Sequence, residues 1–205
     1  MSPANKLIVP ILDPSQLNRI ESVHRGYLYQ HLYTVGCLFM SVNSSTTDIV
    51  VEADEDIELI NKSQRVYLQV KTRSKDIMPS TISDILKRFD LIREEHISGN
   101  RKGDYVFVIV VNQSLGPMIK KRIKNKSIPS DITFQTPEGT FGNNISNNIP
   151  PAWANIEEGF NWCTKKAESL PLLTIVPETL VWKLSGLAQL AASGGYRYED
   201  HTFHV

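Results

Sequence analysis

Asp56, Gln69 and Lys71 are the residues of this sequence whose types and spacing could do chemistry together. They fall in two neighbouring apolar-alternating segments, Asp56-Ile57-Glu58-Leu59 and Val66-Tyr67-Leu68-Gln69-Val70-Lys71. Side chains alternate across a strand, so Asp56 and Glu58 share one face while Ile57 and Leu59 take the other. By the same rule Tyr67, Gln69 and Lys71 oppose Val66, Leu68 and Val70. If the two segments pair as a hairpin, Asp56, Gln69 and Lys71 converge near one end. Two carboxylates at ~4 Å repel by about 4 kcal/mol at an effective dielectric of 20, and a divalent cation turns that repulsion into attraction. Magnesium takes carboxylate, amide and carbonyl oxygens and keeps several waters, so Asp56, the Gln69 side-chain oxygen and the Val70 carbonyl would make an open site. A lysine beside such an ion orients or helps deprotonate an attacking water and offsets charge growing on a phosphate. Phosphodiester hydrolysis needs those parts.

The elements that must hold these residues follow from periodicity. Leu17, Ile20, Val23, Tyr27, Leu28, Leu32, Val35 and Phe39 recur at helical spacing and predict a long helix over about Ser15 to Met40, with Gly26 marking a join or a close backbone approach. Three strands are expected next, Asp48 to Ala53, Asp56 to Ile60 and Arg65 to Thr72, with Asn61-Lys62-Ser63 as the turn between the last two. A helix over about Ser80 to His96 then leads to the apolar run Tyr105 to Val111, which reads as a central strand buried on both faces. A strand after a crossover helix implies an α/β fold with a mixed sheet. Gly116 to Lys126 reads as a short basic helix, Pro137 to Trp153 as a loop, and Ala154 to Ser169 and Pro177 to Ala192 as two closing helices, while Ser193 to Val205 shows no pattern.

Composition excludes more than it selects. The 205 residues carry 22 Lys plus Arg against 22 Asp plus Glu, so no global basic field marks a nucleic-acid binder and any phosphate-facing surface must come from local clustering. Lys120, Lys121, Arg122, Lys124 and Lys126 form one such cluster, with Arg73, Lys75, Lys87, Arg88 and Arg101 as further candidates. Cys37 and Cys163 lack metal-ligand spacing and read as buried free thiols of a cytoplasmic protein. His24 and His31, seven apart on one helix face, read as core or interface residues. Trp153, Trp162 and Trp182 read as core anchors. No segment approaches the ~20 apolar residues of a membrane span, so no membrane partner is expected.

The order of these features resembles the PD-(D/E)XK nuclease superfamily. A helix bearing Gly26, Tyr29 and Gln30 precedes Val51, Glu52, Glu55, Asp56 and Ile57, and Gln69-x-Lys71 ends the following strand. More narrowly, the stretch from about Ser22 to Val111 is similar to the double-stranded DNA endonuclease domain at the N-terminus of bacterial antiphage effectors, which joins a sensor of CBASS systems or an NTPase of the antiviral STAND class. That resemblance implies a restriction-endonuclease-like mixed sheet flanked by helices, with extra C-terminal helices. Residues 1–135 would be the nuclease core, and 136–205 a loop and helical extension packed on it and leading into a sensor. It implies Asp56 as the metal-binding acid, Gln69 in the place of the commoner Glu or Asp, Lys71 as the catalytic lysine, and Glu52 as a further ligand or tuning neighbour. Gln30 would border the site. The cofactor would be magnesium, or manganese in its place, the substrate double-stranded DNA cut with little sequence preference, and the control homo-oligomerisation through the sensor.

Each feature also has a plainer reading. Acids on a strand are usually a solvated face, and a lysine near a strand end is usually surface; Glu58 in particular reads as ordinary surface, while Glu52 and Glu55 could only cap the strand. Because Gln69 removes one negative charge from the motif, the rival to an enzyme is a non-catalytic DNA-binding or assembly module that keeps the nuclease fold. A protein-interaction domain is the third alternative.

Overall fold

The computed structural model describes residues 12–142, 149–171, 174–194 and 202–204. Its first element is helix α1 (Pro14–Ser41), capped by Asp13, whose Oδ1 accepts from the amides of Ser15 (2.9 Å) and Gln16 (3.1 Å). At 28 residues it runs about 42 Å. Burial begins at Tyr29 and takes in Leu32, Tyr33, Val35 and Cys37. Residues 14–27 are exposed apart from half-buried Leu17 and Gly26, so the first half of the helix is free to border a cleft.

The sheet has seven strands: β1 (Thr46–Val51), β2 (Ile57–Asn61), β3 (Gln64–Lys71), β4 (Asp104–Val111), β5 (Ile132–Thr136), β6 (Gly139–Phe141) and β7 (Thr202–His204), in the order β6-β5-β4-β3-β2-β1-β7. β3 pairs parallel with β4, and β4 with β5; the other neighbours are antiparallel. The remaining helices are α2 (Pro79–Ile97), α3 (Pro117–Lys124), α4 (Ile156–Glu168) and α5 (Pro177–Ser193). The fold is therefore α/β with a mixed sheet, as the sequence implies. β4 is buried on both faces: Val106, Val108 and Val110 pack with α1, α4 and α5, while Phe107, Ile109 and Val111 pack with α2 and α3.

Three strands go beyond the expectation, the first being β5 (Ile132–Thr136), a stretch to which the sequence reading assigns no element. The stretch Pro137 to Trp153 reads as a loop in the sequence, but Gly139–Phe141 forms a strand paired with β5, turning at Pro137-Glu138 with Gly139 at φ 135°. The alternation of Ile132, Phe134 and Thr136 before a Pro-Glu-Gly turn is the signal for this hairpin. Its Asn-rich continuation, 143–148, lies outside the described residues. Thr202–His204, in a stretch without a sequence pattern, pairs with Asp48–Val50.

The segment Pro150–Trp153 fastens α1 to the C-terminal helices. Tyr29 Oη donates to the Trp153 carbonyl and accepts from its amide, both at 2.9 Å, and Tyr33 Oη donates to the Pro150 carbonyl at 2.7 Å. Trp153 is a core anchor and Trp162 is half-buried, but Trp182 is 50% exposed, resting on Phe160 with ring centroids 4.9 Å apart. Both cysteines are buried free thiols. Of the two histidines on α1, His31 is buried and His24 exposed. Gly159 lies under the Trp153 ring, where a Cβ would stand 2.5 Å from Cε3. Gly159→Ala is expected to destabilise the fold by about 1–3 kcal/mol through overpacking, a Tm loss of several degrees by calorimetry.

Candidate active site

β2 and β3 stay paired up to Ile57 opposite Leu68 and then part. One residue further, Asp56 faces Gln69, but its side chain leaves the ladder. Its Oδ2 accepts from the Val70 amide at 2.7 Å and from Gln69 Nε2. The divergence is produced upstream: β1 ends at Val51 because Glu52 takes the left-handed conformation, φ 54°, and its amide closes a turn onto the Asp56 carbonyl at 3.1 Å. A left-handed glutamate is unusual, since turns prefer Gly or Asn there. Its carboxylate is engaged from the other side of the cleft, where Gln30 Nε2 of α1 donates to Oε1.

The fork opens into a cleft of about 370 Å³. Glu52, Asp56, Val70 and Lys71 line it from the sheet, and Val23, Gly26, Tyr27 and Gln30 from α1. These four α1 positions are spaced i, i+3, i+4, i+7, one helix face, so the wall could have been found by counting back from Gln30. Gly26 keeps this wall low beside β3: a Cβ there would touch Thr72 Oγ1 at 3.4 Å. Asp56, Gln69, Val70, Lys71, Glu52 and Gln30 are thus brought to one place. Gln69 is buried and reaches the cleft through Asp56, not by lining it.

The electrostatics are those of buried acids facing one lysine. Burial pushes the Asp56 carboxyl up to about 6, opposed by Lys71 and the Val70 amide and reinforced by the negative charge of Glu52. Burial likewise pushes Glu55 up to about 7, against the pull of Arg88 and then Lys71. The charged oxygen groups lining the cleft are the carboxylates of Glu52 and Asp56, while Gln69 and Val70 turn N–H groups onto Asp56. Among the described residues no group of three or more His, Cys, Asp or Glu could hold a metal. An ion that keeps most of its waters fits this set; zinc or another soft metal does not.

The loop bearing the acids is held from α2 and from the turn after it. Arg88 Nε donates to the Asp54 carbonyl at 2.5 Å and pairs with Glu55 Oε1 at 2.9 Å, and its Nη2 also donates to the Asp54 carbonyl. Arg101 Nη2 pairs with Asp54 Oδ2 at 2.5 Å, and its Nη1 donates to Tyr67 Oη at 3.1 Å. Two arginines offered by the sequence as phosphate contacts are therefore turned inward, onto the loop. Lys120 pairs with Glu138 and Lys87 with Asp84. Glu58, read as surface from the sequence, is 1% exposed and pairs with Arg65 at 2.7 Å. The counter-ion sits seven residues away across the hairpin, which is why the acid tolerates burial.

Residues 21–98 match the family described as Cap4, dsDNA endonuclease domain. Among solved structures the chain is similar to the Acinetobacter baumannii Cap4 SAVED/CARF-domain containing receptor, also solved with the cyclic trinucleotide 3'3'3'-cAAA, at 17% identity and TM-score 0.53. The match covers 87% of this chain and 44% of that one. The Moraxella osloensis Cap4 SAVED/CARF-domain containing receptor matches at 16% identity and TM-score 0.53, over 82% of this chain and 43% of that one. The chain thus spans less than half the length of these structures. No curated protein matches it.

Proposed function

We propose that this chain is a divalent-cation-dependent endonuclease domain that cuts double-stranded DNA with little sequence preference, as the effector arm of a cytoplasmic bacterial antiphage protein. The observation that carries this reading is the fork, where Asp56, Glu52 and Lys71 line one cleft and Gln69 and the Val70 amide lock the Asp56 carboxylate. The match of residues 21–98 to a dsDNA endonuclease family supports it. Asp56, Gln69 and the Val70 carbonyl would hold magnesium or manganese, which supplies Lewis-acid polarisation of the scissile phosphate and acidifies a bound water. Gln69 suits both states of such a site, because an amide gives an N–H to a bare carboxylate and an oxygen to a cation. The Lys71 ammonium offsets charge growing on the phosphate and orients the attacking water. Glu52, fixed by Gln30, would add a second carboxylate on the cation's side of the cleft.

A nuclease with an open cleft endangers its host, so its activity is gated, in this reading, by oligomerisation through an attached sensor. The SAVED/CARF-containing receptors that share the fold are a precedent for such an attachment. Among the described residues no helix is long and apolar enough to cross a membrane.

Covalently closed plasmid tests the reading. Nicking and linearisation in magnesium are expected, abolished by EDTA and rising more steeply than linearly with protein concentration; cleavage indifferent to EDTA would overturn it. The rival non-catalytic module predicts duplex binding without cutting, even when the domain is fused to a dimerising partner. A pH prediction separates the site from an unrelated ion effect. Because the cation competes with a proton for Asp56, apparent magnesium affinity is expected to be about tenfold weaker at pH 5 than at pH 8, with the break near 6. The magnesium-induced rise in Tm across this range reads that out.

A further inference from the structure

The cleft continues past Lys71. Beside it lies a second depression of about 130 Å³ lined by Ser22, Arg25, Thr72, Arg73, Ser74 and Asn112, of which Ser22, Thr72 and Arg73 also line the cleft. No acid lines it. Arg25 comes from α1, next to Gly26, and Arg73 follows β3 two residues after Lys71. Neither is in an ion pair among the described residues, the Arg73 guanidinium donating only to the Thr72 carbonyl at 2.9 Å, whereas Arg88 and Arg101 are both paired with acids.

The main chain of Arg73 is fixed as if the sheet continued. Its amide donates to Asn112 Oδ1 at 2.7 Å, and its carbonyl accepts from Asn112 Nδ2 at 3.0 Å. Asn112 follows the last residue of β4, so one side-chain amide carries the β3–β4 ladder a step further and sets where the guanidinium starts. Two guanidinium groups around a depression without a carboxylate repel one another, and an anion between them removes that repulsion. The planar fork of arginine matches phosphate oxygens, and the hydroxyls of Ser22, Thr72 and Ser74 supply further donors.

A single anion would satisfy this depression alone, but the depression shares a wall with a site that takes a phosphate itself. A nucleic-acid strand satisfies both, because its phosphates repeat along one groove. We propose that Arg25 and Arg73 bind the backbone phosphate adjoining the one that is hydrolysed. They thereby set which phosphodiester lies over Asp56 and Lys71, reading the backbone and not the bases. This rests on the nuclease reading and adds to it a named phosphate subsite.

The test is duplex binding by Asp56→Asn protein, which is expected to hold DNA without cutting it, across a series of salt concentrations. Adding Arg25→Gln and Arg73→Gln together is expected to weaken binding at least tenfold and to flatten the slope of log affinity against log salt by about 1, one phosphate contact. Arg25→Lys with Arg73→Lys keeps the charge and is expected to restore the slope, with Tm confirming that all variants fold. An unchanged slope and affinity in the glutamine variant would overturn the subsite and leave the nuclease reading standing. An Asp56→Asn parent without measurable duplex affinity would overturn both.

Discussion

Lys71→Ala is expected to lower plasmid cleavage by about 10²- to 10⁴-fold, with no comparable loss of stability. Lys71 is half-buried at the end of β3, lines the cleft and makes no ion pair among the described residues. Its charge is directed at the cleft, where it draws down the carboxyls of Asp56 and Glu55. Removing it leaves the apolar packing of β3 untouched, because Leu68 and Val70 pack on the face of the sheet that α1 covers. Lys71→Arg is not expected to rescue: a wide planar fork cannot occupy the place of a compact ammonium beside a hydrated cation. Nicking rates at saturating magnesium, with Tm as the folding control, check both variants. A Lys71→Ala protein that cuts within threefold of the parent would remove Lys71 from the mechanism.

Arg88→Ala is expected to be the most destabilising change at an exposed side chain, and the loss is expected to grow with pH. Glu55 has a fully buried side chain and Arg88 is its ion-pair partner, itself 52% exposed. Stranding a buried charge costs about 3–5 kcal/mol when the charge cannot escape. Here the carboxyl can take up a proton and the arginine is partly solvated, so about 1–3 kcal/mol at pH 8 is expected. The sign follows from the direction of the shift. Glu55 is raised from 4.5 to about 7 in the folded protein, so the stability it contributes is complete below about 4.5 and is lost as pH climbs through 7. Without Arg88 the folded carboxyl rises further, and the deficit at pH 8 exceeds that at pH 5.5. Glu55→Gln is the reverse case. It removes a penalty on the order of 3 kcal/mol and is expected to raise Tm at pH 8 while leaving it nearly unchanged at pH 4. Thermal melts of the three proteins at these pH values decide the matter, and a Tm difference independent of pH would refute it.

The candidate site was legible in the sequence because it breaks a rule. A glutamine and a lysine in an aliphatic strand that runs through the core are anomalies, and their alternation with Val66, Leu68 and Val70 fixes their shared face without any structure. Asp56 could be placed near them only through the hairpin, which the Asn61-Lys62-Ser63 turn made readable. What stayed hidden depends on partners distant in sequence. Glu58 and Glu55 look like solvated acids until Arg65 and Arg88 are seen to meet them across a strand pair and from α2. Trp182 looks like a core anchor because indoles usually are, but α5 turns it outward onto Phe160. β7 is three residues long and exists through its pairing with β1, so no local pattern could announce it. Arg25 gives no signal of its own beyond standing next to Gly26, and its place beside Arg73 emerges once α1 is laid along the end of β3.

Manganese tests the central claim most directly, because its anomalous scattering reports position. In crystals of the protein grown with manganese near pH 8, an anomalous peak is expected within about 2.2 Å of an Asp56 carboxylate oxygen, with the Gln69 amide turned to present its oxygen and the Val70 carbonyl in reach. Asp56→Asn is expected to lose the peak. Manganese absent from the Asp56 cleft of the parent protein, or bound away from Asp56 while plasmid cleavage still requires the metal, would contradict the account.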